Sequence, residues 1–97
     1  MDDIRFTWDP AKAKENEAKH GVDFDEARTV FADEGALLID DPDHSADEDR
    51  FVIIGMSSNA RLLTICHCYR ERDEVIRLIS ARKATLTESR QYIQGNM

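Results

Sequence analysis

An α+β domain is what the hydropathy pattern of this 97-residue chain predicts: one antiparallel β-sheet of four to five strands, packed with two N-terminal helices and one C-terminal helix. Three observations lead there. Two helix-opening signals stand in the first quarter, three β-branched runs separated by short polar turns fill residues 51–81, and one more helix signal follows them. The expected order is βααββββα.

Ile4-Arg5-Phe6-Thr7-Trp8 alternates apolar with polar residues, the period of a half-buried strand, and Asp9-Pro10 stops it. Asp9 also suits a helix N-cap with Pro10 in the first helical position, and Gly21 after Lys19-His20 suits the C-terminal cap of a largely solvated helix. Asp23 and Glu26 have capping-box spacing ahead of Phe24, Ala27, Val30 and Phe31, which predicts an amphipathic helix over about 23–33. Ala36-Leu37-Leu38-Ile39 reads as a strand, and residues 40–49, acidic and holding Pro42, read as a loop. The runs 51–56, 61–69 and 75–81 then form consecutive antiparallel strands, turned by Ser57-Ser58-Asn59 and by Glu71-Arg72-Asp73-Glu74. Thr85 and Glu88 make a second capping box, opening a helix that carries Leu86, Tyr92 and Ile93.

Without a repeat, a low-complexity tract or a Gly/Pro/Ser linker, residues 1–97 are expected to form one domain. A chain of this size buries a modest fraction of its surface, so a bound partner would raise its stability appreciably. Charge is uneven: residues 1–50 hold 6 Lys/Arg against 16 Asp/Glu, and residues 51–97 hold 7 against 4, giving −10 and +3 and a net −7. That balance disfavours sequence-blind attraction to nucleic acid, which rests on cations displacing counterions from phosphates. It suits a basic protein partner and leaves room for a local cationic site. The first residues carry no basic segment followed by an apolar run, and no stretch nears the ~20 apolar residues of a membrane span, so a cytoplasmic protein is expected. Cys66 and Cys68 lie one residue apart in a strand pattern, projecting from one face, which argues against a structural disulfide.

Trp8-Asp9-Pro10, Lys12, Asn16, Lys19-His20-Gly21, Phe24, Ala27 and Phe31 follow one another in an order and spacing that resembles the BrnT family. Glu48-x-Arg50, Gly55, His67-x-x-Arg70, Ile76-Arg77, Ile79-Ser80-Ala81-Arg82, Ala84, Glu88 and Tyr92 continue the likeness, which covers about residues 6–92. The resemblance implies a toxin of a type II toxin–antitoxin system with a RelE-like fold and RNA-cleaving activity that arrests growth. It also implies a partner resembling the ribbon-helix-helix antitoxin BrnA, with operator DNA met only through that antitoxin.

Metal-free RNA cleavage requires a base for the 2′-OH, cations for the negative phosphorane and an acid for the leaving 5′-oxygen. Arg70 and Arg82, at the ends of neighbouring strands, are the preferred phosphate binders; each could equally tie a strand end to an acid such as Glu48 or Glu88. Arg77, within a strand, is expected on an exposed sheet face, where it could contact RNA, with a structural role the more economical reading. His20 heads the proton-transfer candidates, with Lys19 beside it, against a simple role for both in capping the helix. Glu48 and Arg50 share a strand face, where the carboxylate is either a base, an orienting group or a salt-bridge partner. Cys66-His67-Cys68 invites a metal, but alternation turns His67 away from the cysteines, so neither metal nor other cofactor is expected. The cysteines then read as core residues, and Trp8, Phe24 and Phe31 as a hydrophobic cluster, leaving Tyr69 or Tyr92 as the aromatics available to stack on RNA. The site pool is therefore Lys19, His20, Glu48, Arg50, Arg70 and Arg82. A non-catalytic partner-binding subunit of the same fold is the alternative, and nucleic-acid binding without cleavage a third reading.

Overall fold

The computed structural model describes residues 4–41 and 50–97; Glu48 and most of the acidic loop fall outside them. The elements follow the expected order: β1 (Arg5–Thr7), α1 (Pro10–His20), α2 (Phe24–Thr29) continued by a 3-10 turn (Val30–Ala32), β2 (Leu37–Asp40), β3 (Arg50–Met56), β4 (Leu62–Arg70), β5 (Val75–Lys83) and α3 (Leu86–Gly95). The five strands form one sheet in the order β1-β5-β4-β3-β2. Its four later strands pair antiparallel, whereas β1 lies parallel to β5, Phe6 opposite Ile76, so the sheet is mixed rather than wholly antiparallel.

Local signals account for most boundaries. Asp9 accepts the Ala11 N–H at 2.9 Å with Pro10 opening α1, and Gly21, at φ 71°, closes it by donating its N–H to Glu17. Thr85 and Glu88 form the expected reciprocal capping box of α3. At α2 only half of the box exists: Asp23 accepts the Glu26 N–H at 2.7 Å, but the Glu26 carboxylate turns inward to Arg61 and Ser57, and the helix tightens to 3-10 geometry after Thr29. Gly55 permits the close approach of that turn, because a Cβ there would stand 2.9 Å from both Val30 and Ala36.

The core lies between one sheet face and the α1–α2 segment, with Val22, Phe24, Ala27 and Val30 packed on Ile53, Leu63, Ile65, Ile76, Leu78 and Ala81. Trp8 packs edge-on against Phe24, and Phe31 against Phe6 and His67, so the three aromatics belong to this core. Among the described residues no helix is long and apolar enough to cross a membrane.

Two polar devices fasten the layers. The Asn16 amide, buried in the otherwise solvated α1, donates to the carbonyls of Val22 and Ala81 at 2.9 Å and accepts the Ala81 N–H at 3.0 Å. It thereby takes the place of a neighbouring strand where β1 has ended. The second device is Glu26, whose side chain is 4% exposed and which receives bonds from Arg61 Nε and Ser57 Oγ at 2.9 and 2.7 Å. Those bonds, the Arg61 ones foremost, hold its carboxyl at about 2 against the cost of burial.

Asn16→Ala strands three buried backbone groups and should cost about 3 kcal/mol; urea unfolding would show it, and an unchanged midpoint would dismiss the clasp. Glu26 binds its proton less tightly when folded, so its contribution, on the order of 3 kcal/mol, is present above the ordinary carboxylate range and fades as pH falls toward 2. Between pH 7 and pH 3 the Glu26→Gln variant should therefore lose about 2 kcal/mol less stability than the wild type.

Candidate active site

Arg50, Cys68 and Arg77 stand in one row across three neighbouring strands: Arg50 pairs with Cys68, and Cys68 with Arg77. Cross-strand partners share a face, and the two outer strands of such a trio lie about 10 Å apart. Arg70, two residues beyond Cys68, falls on the same face, which is the one turned away from the α1–α2 core. From the side of the sheet come Lys12 of α1 and Asp9, which caps that helix. Together these residues line a polar cleft of about 230 Å³, floored by Cys68, Leu78 and Ile79. That volume is below the roughly 300–1,000 Å³ of pockets that enclose a small organic molecule. Four cations around a shallow floor suit an anionic group reached from solvent.

Two further depressions adjoin it. One, of about 210 Å³, shares Lys12 and Ile79 with the cleft and adds Glu15, Lys19, His20 and Ser80. The other, of about 220 Å³, shares Arg50 and Ile79 and adds Asp41, Val52, Thr64, Cys66, Ser80 and Arg82. All three have Ile79 in their lining, and together, as a trough of adjoining depressions, they take in Lys19, His20, Arg50, Arg70 and Arg82. Glu48 lies outside the described residues.

A β-bulge makes this gathering happen. Leu78 pairs with His67 but Ser80 with Cys66, leaving Ile79 as an extra residue in β5. Arg77 and Arg82 are five positions apart, and strict alternation would send them to opposite faces. The extra residue reverses the alternation, and both reach the face that carries Arg50 and Arg70. Sequence reading put Arg77 on an exposed face open to RNA but outside the site pool, since a single strand does not show its neighbours, and passed over Lys12 because no local signal distinguishes it from the other lysines of α1.

The side chains differ in how they are held. Arg82 donates to both oxygens of Glu88, at 2.7 and 2.9 Å, and Glu88 also receives the Thr64 hydroxyl and the Thr85 N–H. The Arg82 bonds foremost hold the Glu88 carboxyl at about 2. The ion pair fastens α3 to the end of β5, the structural role weighed for Arg82 above. Arg70 donates to its neighbour's carbonyl, Tyr69 O, at 3.4 Å. Lys12 and Arg77 enter no ion pair among the described residues.

His67 lies on the other face, fully buried among Phe31, Phe51 and Tyr69, and burial holds its pKa below the ordinary histidine value. It therefore does not converge with Cys66 and Cys68. Both cysteines are free thiols, and burial, with Asp41 beside it at 3.6 Å, pushes Cys66 up to about 11. A thiol that stays protonated at neutral pH is no nucleophile. Neither tyrosine lines the trough: Tyr69 packs on the core face, and Tyr92 donates its hydroxyl to Asp33 at 2.8 Å.

The family described as ribonuclease toxin, BrnT, of type II toxin–antitoxin systems matches residues 8–88, a span that contains every trough residue named above. The crystal structure of the Brucella abortus ribonuclease toxin BrnT has the same fold, with a TM-score of 0.67 and 24% identity over 86% of this chain and 99% of that one. Among curated proteins no sequence matches the chain. The chain thus belongs to the BrnT family of type II ribonuclease toxins.

Proposed function

We propose that this protein is a one-domain, cytoplasmic endoribonuclease toxin that cleaves RNA without a metal, through the substrate's own 2′-OH, and so halts translation and growth. The observation that carries this reading is the row of Arg50 and Arg77 across Cys68, with Arg70 and Lys12 beside it, on the open face of a chain whose net charge is −7. An acidic protein has no general reason to collect four cations around one cleft; a phosphodiester supplies one.

In the proposed reaction a base removes the 2′-OH proton, the 2′-oxygen bonds to phosphorus, and the bond from phosphorus to the 5′-oxygen breaks as that oxygen gains a proton. The products are a 2′,3′-cyclic phosphate and a 5′-hydroxyl. Arg50, Arg70 and Arg77 take the phosphate and hold the charge that grows on its oxygens, their planar donors matching two oxygens at once. Lys12 adds a point charge where the cleft meets the next depression. His20 serves proton transfer from that depression with Lys19 beside it, and Glu48, two residues ahead of Arg50, is the carboxylate candidate for the base. Arg82 closes the far side of the trough through its pair with Glu88. The antitoxin is a BrnA-like ribbon-helix-helix protein, and operator DNA is met only through it.

Expressed alone from a controlled promoter, the wild type should arrest growth with loss of RNA integrity. Arg77→Ala should keep its melting temperature and lose roughly 10²–10³-fold in cleavage rate, with Arg77→Lys recovering little of it. Full activity in a folded Arg77→Ala protein would remove the cleft from the mechanism. Cleavage should continue in EDTA; loss restored by added magnesium would overturn the metal-free route. A folded, harmless wild type that leaves RNA intact would favour the non-catalytic, partner-binding reading.

A further inference from the structure

On the face opposite the trough, Leu38, Phe51, Tyr69 and Asp73 line a second, mainly apolar groove of about 430 Å³. It opens beside β2, the last strand of the sheet at that end. β2 is bonded along one side by β3, and among the described residues no strand bonds the other. Leu38 is 52% exposed and Ile39 43%, one on each face, since they pair with Ile53 and Val52. Folded proteins ordinarily blunt such an edge by keeping it short, or with charge, proline, a bulge or a covering segment. The four-residue strand Leu37-Leu38-Ile39-Asp40 carries one charge, at its end, contains neither lysine nor proline, and pairs with β3 in unbroken register.

We infer that the β2 edge and the Leu38–Phe51–Tyr69 groove are the docking site of the protein antitoxin, which adds an extended, basic segment as a sixth strand and sets an apolar side chain into the groove. Main-chain bonds to β2 supply the register, and the groove supplies the selectivity. The charge of the partner follows from what surrounds the edge: Asp73 lines the groove, Asp40 ends the strand, and the front half of the chain carries −10. A second copy of this chain is disfavoured as occupant because each copy brings a net −7 to the contact. The inference rests on the toxin reading only for the existence of a protein antitoxin. Because the groove and the cationic trough lie on opposite faces, antitoxin docking and RNA cleavage are separable by substitution.

The test measures binding of the cognate antitoxin to purified wild type, Leu38→Lys, Leu38→Glu and Arg77→Ala, together with RNA cleavage by the free proteins. Leu38→Lys should weaken binding at least 100-fold and Leu38→Glu less, with cleavage retained in both; Arg77→Ala should bind normally and cleave poorly. Amide hydrogen exchange on the wild-type complex reads the same surface without any variant, and protection should rise at residues 37–40. Normal binding by both Leu38 variants, or new protection confined to the Arg50–Arg77 face, would overturn the proposal. So would a dimer of the toxin alone, seen by sedimentation, that Leu38→Lys dissolves. Absence of cleavage in every sample, with docking lost only on Leu38 substitution, would sink the nuclease reading and leave the docking site standing.

Discussion

The carboxamide of Asn16 holds this molecule's geometry together. β1 covers only the first three residues of the β5 edge, and beyond them the backbone of β5 would be left without a neighbour. Asn16 supplies that neighbour from a helix, meeting both the N–H and the carbonyl of Ala81 while also holding Val22. A helix with little apolar surface of its own is thereby fixed against the sheet edge. Lys12 lies one turn before Asn16 and Lys19 and His20 one turn after it, so the same bonds decide where three of the trough's polar side chains stand.

Electrostatics is divided in the same economical way. Most of the acids lie in the front half of the chain, and two carboxylates, Glu26 and Glu88, each meet an arginine at a junction: Arg61 where α2 meets the turn after β3, and Arg82 where α3 meets β5. Lys12, Arg50, Arg70 and Arg77 gather on one face, around a cleft that also holds Asp9. A net charge of −7 therefore does not oppose phosphate binding at the trough; what matters over a few ångströms is the row of guanidinium groups, not the sum over the chain. The acidic body does set the long-range field, and this favours a basic protein over a second toxin at the β2 edge.

Much of this was legible in the sequence, because caps, turns and strand periods are local. Asp9 and Gly21 marked both ends of α1 to within a residue, the Thr85–Glu88 box marked the start of α3, and the three β-branched runs marked the central hairpins. What escaped was decided by distant partners. Glu26 has the spacing of a capping box but finds Arg61, 35 positions away, which no local rule anticipates. The parallel pairing of β1 with β5 likewise depends on how the chain returns, not on the three residues that form the first strand. Of the site residues, Lys19, His20, Arg50, Arg70 and Arg82 come to one trough, while Lys12 and Arg77 emerge only once the strands are laid side by side.

Arg77 and Arg82 show how one inserted residue decides which side chains meet. Alternation is a rule about neighbours, and one inserted residue reverses it for everything downstream. Before Ile79, the odd positions of β5 face the trough; after it, the even ones do, so Arg77 and Arg82 share a face while Leu78 and Ala81 share the core. β4 runs opposite without an insertion, which keeps Thr64, Cys66, Cys68 and Arg70 on one line against both halves of β5. The bulged residue itself lines all three depressions. An unbulged β5 could bury its apolar residues or align its arginines along that line, but not both. The irregularity is what lets one short strand serve the core and the cationic face together.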